Sequence, residues 1–397
     1  MYNRMTKEVK KIVKPRLKIL HTSDWHVGLS SWKTQRETDR LEEQRECLEE
    51  MFAVAKDAKV DLIIHAGDLF HHSYHPPQEA IRVVVDALLQ FSSLAPFVWV
   101  VGNHDWYAVE ALRDVFPKGV YVIKDLQVRV LQEVPVAIFP LPYLSLTRLL
   151  GSDLGESLQA VAQEKLHGFM EEWKKKRRPD TWNIFVAHAT IEDLASRYLE
   201  ANAHREVFLK RGDLPSFFHY GALGHLHGFI PLEDPFPMCY SSSLVLDNFK
   251  QADRRGGSFV LVELQEGERA KIEPHFFHTS SLMSLDLEER IGEEELWNLL
   301  TRQAVGKRNY IRLRVREEIL QPEWCRNVRK LKGENWEVVM VEVLAAEEVT
   351  PQGENHVELE SIPDLFARFC RENHFSEEVV TLFQNYYRRV IEEKGEL

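Results

Sequence analysis

Five short stretches carry side chains that together could hold metal ions. They are "SDWH" with Asp24 and His26, "GDLFH" with Asp68 and His71, "GNHD" with Asn103, His104 and Asp105, "AHAT" with His188, and "GHLH" with His225 and His227. The donors are oxygen and nitrogen, with no thiolate, which favours manganese, iron, zinc or a similar divalent ion over a soft-metal site. Asp24, His26, Asp68 and His227 suffice for one ion, and Asp68, Asn103, His188 and His225 for a second. Asp68 would be shared, because a carboxylate has lone pairs on two oxygens. Two divalent ions roughly 3.5–4 Å apart form a clamp for phosphate-ester hydrolysis.

Each stretch alone is a weak signal. Most Asp–x–His triplets are solvated loop residues, "GHLH" can be a turn with two surface histidines, and His188 alone reads as an ordinary buried histidine. The signal is the joint pattern, since each stretch follows an apolar run. Leu17–Leu20, "VDLIIHAGD", "PFVWVVGNHD", "TWNIFVAHAT" and "YGALGHLHGF" all read as strands. Between the early ones lie helix-periodic segments at roughly 37–59 and in "PPQEAIRVVVDALLQF", so the core is α/β with largely parallel pairing. In such folds ligands collect beyond the carboxyl ends of strands. Gly67, Gly102 and Gly224 precede their donors, where glycine permits a sharp turn. His65 reads as core, His72 and His75 as surface, and His21 as support behind the first motif.

Later segments follow the same logic. "VAIFPLP" is a strand, 156–178 an amphipathic helix with a basic end, and "GSFVLVEL" with "AKIEPHFF" a closing hairpin. The expected domains are 1–280, a small α+β domain at 281–345, a polar linker at 346–361, and a helical segment at 362–397. The basic runs 174–178 and 326–332 read chiefly as solvated faces, the second being the better nucleic-acid candidate. A length of 397 residues allows two or three domains, and a net charge of −12 argues against a generic nucleic-acid binder. The four cysteines are scattered, which fits a reducing cytoplasm, and the basic N-terminus lacks a signal-peptide core. No apolar run reaches the ~18 residues of a membrane helix.

The motifs "DWH", "GDLFH", "GNHD", "AH" and "GHLH" resemble the calcineurin-like metallophosphoesterase pattern. "KILHTSDWHVG", the "GDLFH" form and the long C-terminal extension are similar to the SbcD-type family of DNA double-strand-break repair nucleases. The resemblance implies a sandwich of mixed sheets flanked by helices, with two ions, most often Mn2+, on the seven ligands named above. It implies that His104 contacts the scissile phosphate as proton donor or stabiliser, that Asp105 orients it, and that His71 stands on the leaving-group side. It further implies a capping domain at 281–345 that helps select DNA ends. The helical pair at 362–397 would dock on an SbcC-like ATPase, the helix at 79–91 would belong to a homodimer interface, and the protein would be cytoplasmic at DNA ends. "CYSSSL" departs from the family, with Ser242 where glycine is usual. Competing expectations are a small-substrate phosphoesterase and a non-enzymatic scaffold. Protein phosphatases of this fold read "GDxxDRG" and "GNHE" where this chain reads "GDLFHHS" and "GNHD", and scaffolds lose ligands where this chain keeps all seven.

Overall fold

The computed structural model describes residues 14–33, 38–112, 116–145, 149, 158–198, 206–249, 256–316, 321–343, 366–367, 370–371 and 379–383. The first unit, Met1–Leu344, is built on two six-stranded sheets. In the first, β1 (Leu17–Thr22), β4 (Leu62–His65), β5 (Phe97–Val100) and β6 (Val120–Ile123) run parallel. The hairpin of β13 (Ser258–Leu264) and β14 (Lys271–Phe276) continues it antiparallel beyond β1. In the second, β8 (Val136–Leu141), β9 (Trp182–His188), β10 (Tyr220–Gly224) and β12 (Met238–Ser241) run parallel, edged by the antiparallel β7 (Arg129–Val130) and β11 (Phe229–Leu232).

The apolar runs are continuous because these strands are covered on both faces. Between the sheets, Ile19, Ile64, Val98 and Val100 meet Ile138, Ile184, Val186 and Ala222. On the outer face of the first sheet, Leu20, Ile63, Phe97 and Trp99 receive α1 (Leu41–Ala58) and α2 (Gln78–Leu94). α2 buries Ala80, Val83, Val84, Ala87, Leu88 and Phe91, the spacing of one helical face. The helix Leu158–Lys175 covers the second sheet through Leu166, Met170 and Trp173. The expected sandwich of mixed sheets flanked by helices is thus the fold.

α1 begins later than the periodicity implies. A small ladder of β2 (Ser30–Ser31) with β3 (Thr38–Asp39) takes the preceding residues, and the Asp39 carboxylate accepts the Leu41 N–H at 2.9 Å. Residues 281–343 form a three-stranded sheet of β15 (Ser281–Leu287), β16 (Asn309–Val315) and β17 (Trp336–Val343), all parallel, with the helices Glu293–Gln303 and Pro322–Val328 between them in sequence. It has its own core around Leu296, Leu300, Leu313, Trp324 and Val338.

That sheet is joined to the body by a buried charge. Arg40 bonds Glu43 at 2.7 Å and the Leu246 carbonyl at 2.9 Å, and its guanidinium lies 4.3 Å from the Tyr310 ring. Trp32, Phe249 and Val339 close the junction. In the second unit, Ala345–Leu397, the Phe366 and Phe383 rings stack at 4.0 Å and Cys370 is buried. The linker 346–361 and most of 362–397 lie outside the described residues. Among the described residues no helix is long and apolar enough to cross a membrane.

Candidate metal centre

The seven expected ligands meet where the carboxyl ends of β1, β4, β5, β9 and β10 come together. His26 Nε2 lies 3.0 Å from His227 Nε2, and the Asp24 carboxylate lies 4.0 Å from His26 Nε2 and 3.7 Å from His227 Nε2. On the other side His188 Nε2 lies 2.9 Å from Asn103 Oδ1 and 3.3 Å from His225 Nδ1. Between the halves stands Asp68, its Oδ2 3.6 Å from His26 Nε2 and 3.4 Å from His188 Nε2. Each half offers four donors, with Asp68 common to both.

The backbone reaches this arrangement through unusual conformations. Asp24, His26, Asp68 and His225 have φ values of 50, 44, 63 and 98°. Non-glycine residues rarely hold left-handed backbone, and each instance costs on the order of 1 kcal/mol or more. Hydrogen bonds impose it here. Asp24 N–H donates to the Gly67 carbonyl at 2.8 Å, and His26 N–H to the Asp68 carbonyl at 3.1 Å. The His225 N–H donates to the Asp24 carboxylate at 3.0 Å.

The glycines serve two purposes rather than the single one expected. Gly67, at φ +99°, needs its conformational freedom, and a Cβ there would also strike the His188 ring. Gly102 and Gly224 do not lie in the left-handed region. A Cβ on Gly102 would come within 2.1 Å of Asp68 Oδ1, and one on Gly224 within 2.1 Å of the Ala66 carbonyl oxygen. They are glycines because other chain passes against them.

His104 sits at the rim, its ring 4.8 Å from that of His26. Its Nδ1 donates to the His71 carbonyl at 2.6 Å, which leaves Nε2 as the free nitrogen. His71 stacks on His104 with centroids 6.0 Å apart. Burial, followed by the neighbouring His104, His72 and Lys33, lowers the His71 pKa to about 4.

The expectation that Asp105 orients His104 is corrected. Asp105 is fully buried and accepts four hydrogen bonds, none of them from the His104 ring. Oδ2 takes the Asp68 N–H at 2.7 Å, the Gly102 N–H at 2.9 Å and Trp99 Nε1–H at 3.0 Å, while Oδ1 takes the Leu69 N–H at 2.8 Å. Adjacent residues at the start of α3 (Trp106–Leu112) point apart, so the carboxylate turns into the protein and the imidazole out. Burial and the Asp68 charge raise its pKa to about 6, against the pull of the Gly102 and Trp99 N–H groups.

His21 and His65 are buried behind the site, His21 bonded to the Tyr220 hydroxyl and His65 edge-on to Trp25, while His75 is exposed. Sequence reasoning missed Glu206, whose Oε2 lies 3.1 Å from His225 Nε2, Asp247, 3.8 Å from His227 Nδ1, and Tyr143, whose ring lies 5.7 Å from that of His225. No motif marks them.

The profile of the calcineurin-like phosphoesterase family matches residues 17–229, more than half of the chain and all seven ligands. The chain belongs to the calcineurin-like phosphoesterase family. Curated SbcD components of the SbcCD nuclease are similar to it. That of Bacillus subtilis (strain 168) is 29% identical over 275 residues, covering 64% of this chain and 68% of its own. That of Staphylococcus saprophyticus subsp. saprophyticus is 26% identical over 317 residues, covering 76% and 78%. Among solved structures, a dimetal phosphatase from Danio rerio covers 65% of this chain and 95% of its own at 11% identity, with a TM-score of 0.41.

The residues present fit the divalent ions of a calcineurin-like phosphoesterase. Three overlapping groups of buried or half-buried donors each lie within 4.8 Å of one another, namely Asp24–His26–His227, His26–Asp68–His104 and Asp24–Asp68–His188. The electrostatics agree. Burial opposes charge on His188, yet Asp68 and Asp24 raise its pKa to about 9. A site that draws a proton onto a fully buried imidazole has negative potential to spare for a cation.

Ser242, at a position where the family resemblance expects glycine, has φ +82° in the left-handed region that favours glycine. Its buried hydroxyl has no hydrogen-bond partner among the described residues. Two measurements follow. Ser242→Gly is expected to raise stability by about 1 kcal/mol in urea unfolding, through relief of the backbone alone; a lower midpoint would mean the serine is held by something unseen. Asp105→Ala leaves four buried donors without a partner and should lose at least about 3 kcal/mol, whereas His104→Ala should lose no more than about 1 kcal/mol. Equal losses would contradict the separation of roles.

Proposed function

We propose that the chain is a two-metal phosphodiesterase that acts on DNA, a nuclease of the SbcD type. The observation that carries the reading is the shared Asp68 carboxylate between two complete N/O donor sets in a calcineurin-like phosphoesterase. The likeness to SbcD nucleases over 275 and 317 residues supports DNA over a small phosphoester as substrate.

Asp24, His26, Asp68 and His227 would hold one ion, and Asp68, Asn103, His188 and His225 the other. When bound, two divalent ions neutralise phosphate oxygens and lower the pKa of water so that it can attack phosphorus at neutral pH. The chain's own groups orient and supply protons. The His71 carbonyl fixes the His104 ring through Nδ1, so that Nε2, when protonated, donates to a phosphate or leaving oxygen. His71, beside it, lines the leaving-group side. The clasp by Asp105 keeps Asp68 and Asn103 in register with them.

In this reading the protein uses Mn2+ and works as a 3'-5' double-strand exonuclease and a single-strand or hairpin endonuclease in DNA repair, recombination and replication. It forms a homodimer and is cytoplasmic, nucleoid-associated at DNA ends. Residues 281–345 are a cap that selects ends, and 362–397 bind an SbcC-like ATPase. In the cap, Arg312, Arg314 and Arg316 are paired with Glu342, Asp286 and Glu288, which leaves the run at 326–332 as its basic stretch toward DNA.

With Mn2+ the purified protein is expected to degrade linear duplex DNA, and EDTA, Asp68→Ala or His104→Gln to reduce the rate at least about 100-fold. Variants as active as wild type would defeat the assignment. Deletion of 362–397 is expected to abolish co-purification with an SbcC-type ATPase while hydrolysis of bis(p-nitrophenyl) phosphate persists. Intact association would place the docking surface elsewhere.

A further inference from the structure

The two histidines of "GHLH" present opposite nitrogens to the centre. His225 turns Nδ1 inward, 3.3 Å from His188 Nε2, whereas His227 turns Nε2 inward, 3.0 Å from His26 Nε2. A neutral imidazole has one N–H and one lone pair, so only one tautomer of each ring can ligate. What the outward nitrogen meets decides which tautomer forms. For His188 it is the Ala66 carbonyl, 2.7 Å from Nδ1. His227 Nδ1 lies 3.8 Å from an Asp247 carboxylate oxygen. His26 Nδ1 has no hydrogen-bond partner among the described residues. For His225 the outward Nε2 lies 3.1 Å from the Glu206 carboxylate, within hydrogen-bond range.

We propose that Glu206 is the positioning residue for the ion held by His188, Asn103 and His225: by accepting the His225 Nε2–H it fixes the tautomer whose Nδ1 lone pair faces the centre. This rests on the two-ion reading above and adds to it a residue outside every motif. The carboxylate is built in place. Thr190 Oγ1–H donates to Glu206 Oε2 at 3.3 Å. The strand-like stretch that follows is pinned to the end of β9, with Leu209 N–H on the Thr190 carbonyl and Glu192 N–H on the Leu209 carbonyl, both near 2.9 Å. Gln163, from the helix Leu158–Lys175, holds the Phe208 carbonyl at 2.7 Å. Tyr143 packs against the His225 ring and limits its rotation. Carboxylates behind ligating imidazoles raise ligand basicity as well as fixing orientation.

The test is a calorimetric titration of the metal-free full-length protein with MnCl2, on wild type, Glu206→Ala and Glu206→Gln. Wild type takes up two ions. Glu206→Ala keeps one at wild-type affinity and weakens the other by about 10–100-fold. Glu206→Gln, which retains an acceptor oxygen of the same reach, falls between them. Long-range 1H–15N spectra of the metal-free proteins read the tautomer itself: His225 carries its proton on Nε2 in wild type and shifts toward Nδ1–H in Glu206→Ala. Two ions bound by Glu206→Ala as tightly as by wild type, or an unchanged His225 spectrum, overturns the role of Glu206. Fewer than two ions in wild type overturns the two-ion reading instead, and this inference with it.

Discussion

One buried carboxylate holds the centre in register. Asp105 gathers N–H groups from the segments that leave β4 and β5, and from the Trp99 indole within β5. It thereby sets the distance between Asp68 and Asn103, which follow different strands but meet at the same centre. Hydrogen bonds to a charged acceptor contribute about 1.5–3 kcal/mol each, more than neutral pairs. Four of them converging on one residue explain how Asp68 is kept in left-handed backbone. From there its Oδ2 reaches His26 on one side and His188 on the other.

The left-handed ligands follow from the same geometry. A strand that ends by turning its last side chain back over its own sheet leaves the extended region abruptly, and Asp24, His26, Asp68 and His225 all do so. The strain is local and the restraint is not. Asp24 is held by Gly67 from the neighbouring strand end, and His225 by the Asp24 carboxylate from the opposite sheet. Each strained residue is fixed by an element other than its own, Asp24, His26 and Asp68 by neighbouring strand ends of the same sheet and His225 by the opposite sheet. Ser242, nearby, is also left-handed, and only its hydroxyl, not its carbonyl, is without a hydrogen-bond partner among the described residues.

The residues that meet at the centre were legible because their types are rare beyond apolar strands and because order along the chain maps onto strand ends. The parallel core and the closing hairpin were legible for the same reason of periodicity. The role of Asp105 was not. Its neighbour His104 made an acid–imidazole pair the natural reading, and sequence adjacency says nothing about which way two side chains turn at a helix start. Gly102 and Gly224 also read as turn residues, whereas their constraint is a carboxylate and a carbonyl arriving from 34 and 158 positions earlier in the chain, 102 less 68 and 224 less 66. Glu206 and Asp247 carried no signal at all, because a residue behind a ligand is chosen by tertiary contact rather than by spacing.

Charge closes the account of how an acidic chain can engage a phosphodiester. With a formal net charge of −12 the protein repels polyanions at long range. Arg312 and Arg314 on β16, and Arg316 just beyond it, are matched by Glu342, Asp286 and Glu288. At the centre, Asp24 and Asp68, with Glu206 and Asp247 behind the histidines and Asp105 on the Asp68 N–H, bring five carboxylates together. Divalent ions bound there would offset this charge, which without them would repel a phosphodiester. The imidazoles at its rim then decide what happens there: His71 is held neutral by burial, and its carbonyl keeps the His104 Nδ1 occupied. Bound divalent ions would thus set positive charge at the point of chemistry, against the carboxylates that the chain itself places there.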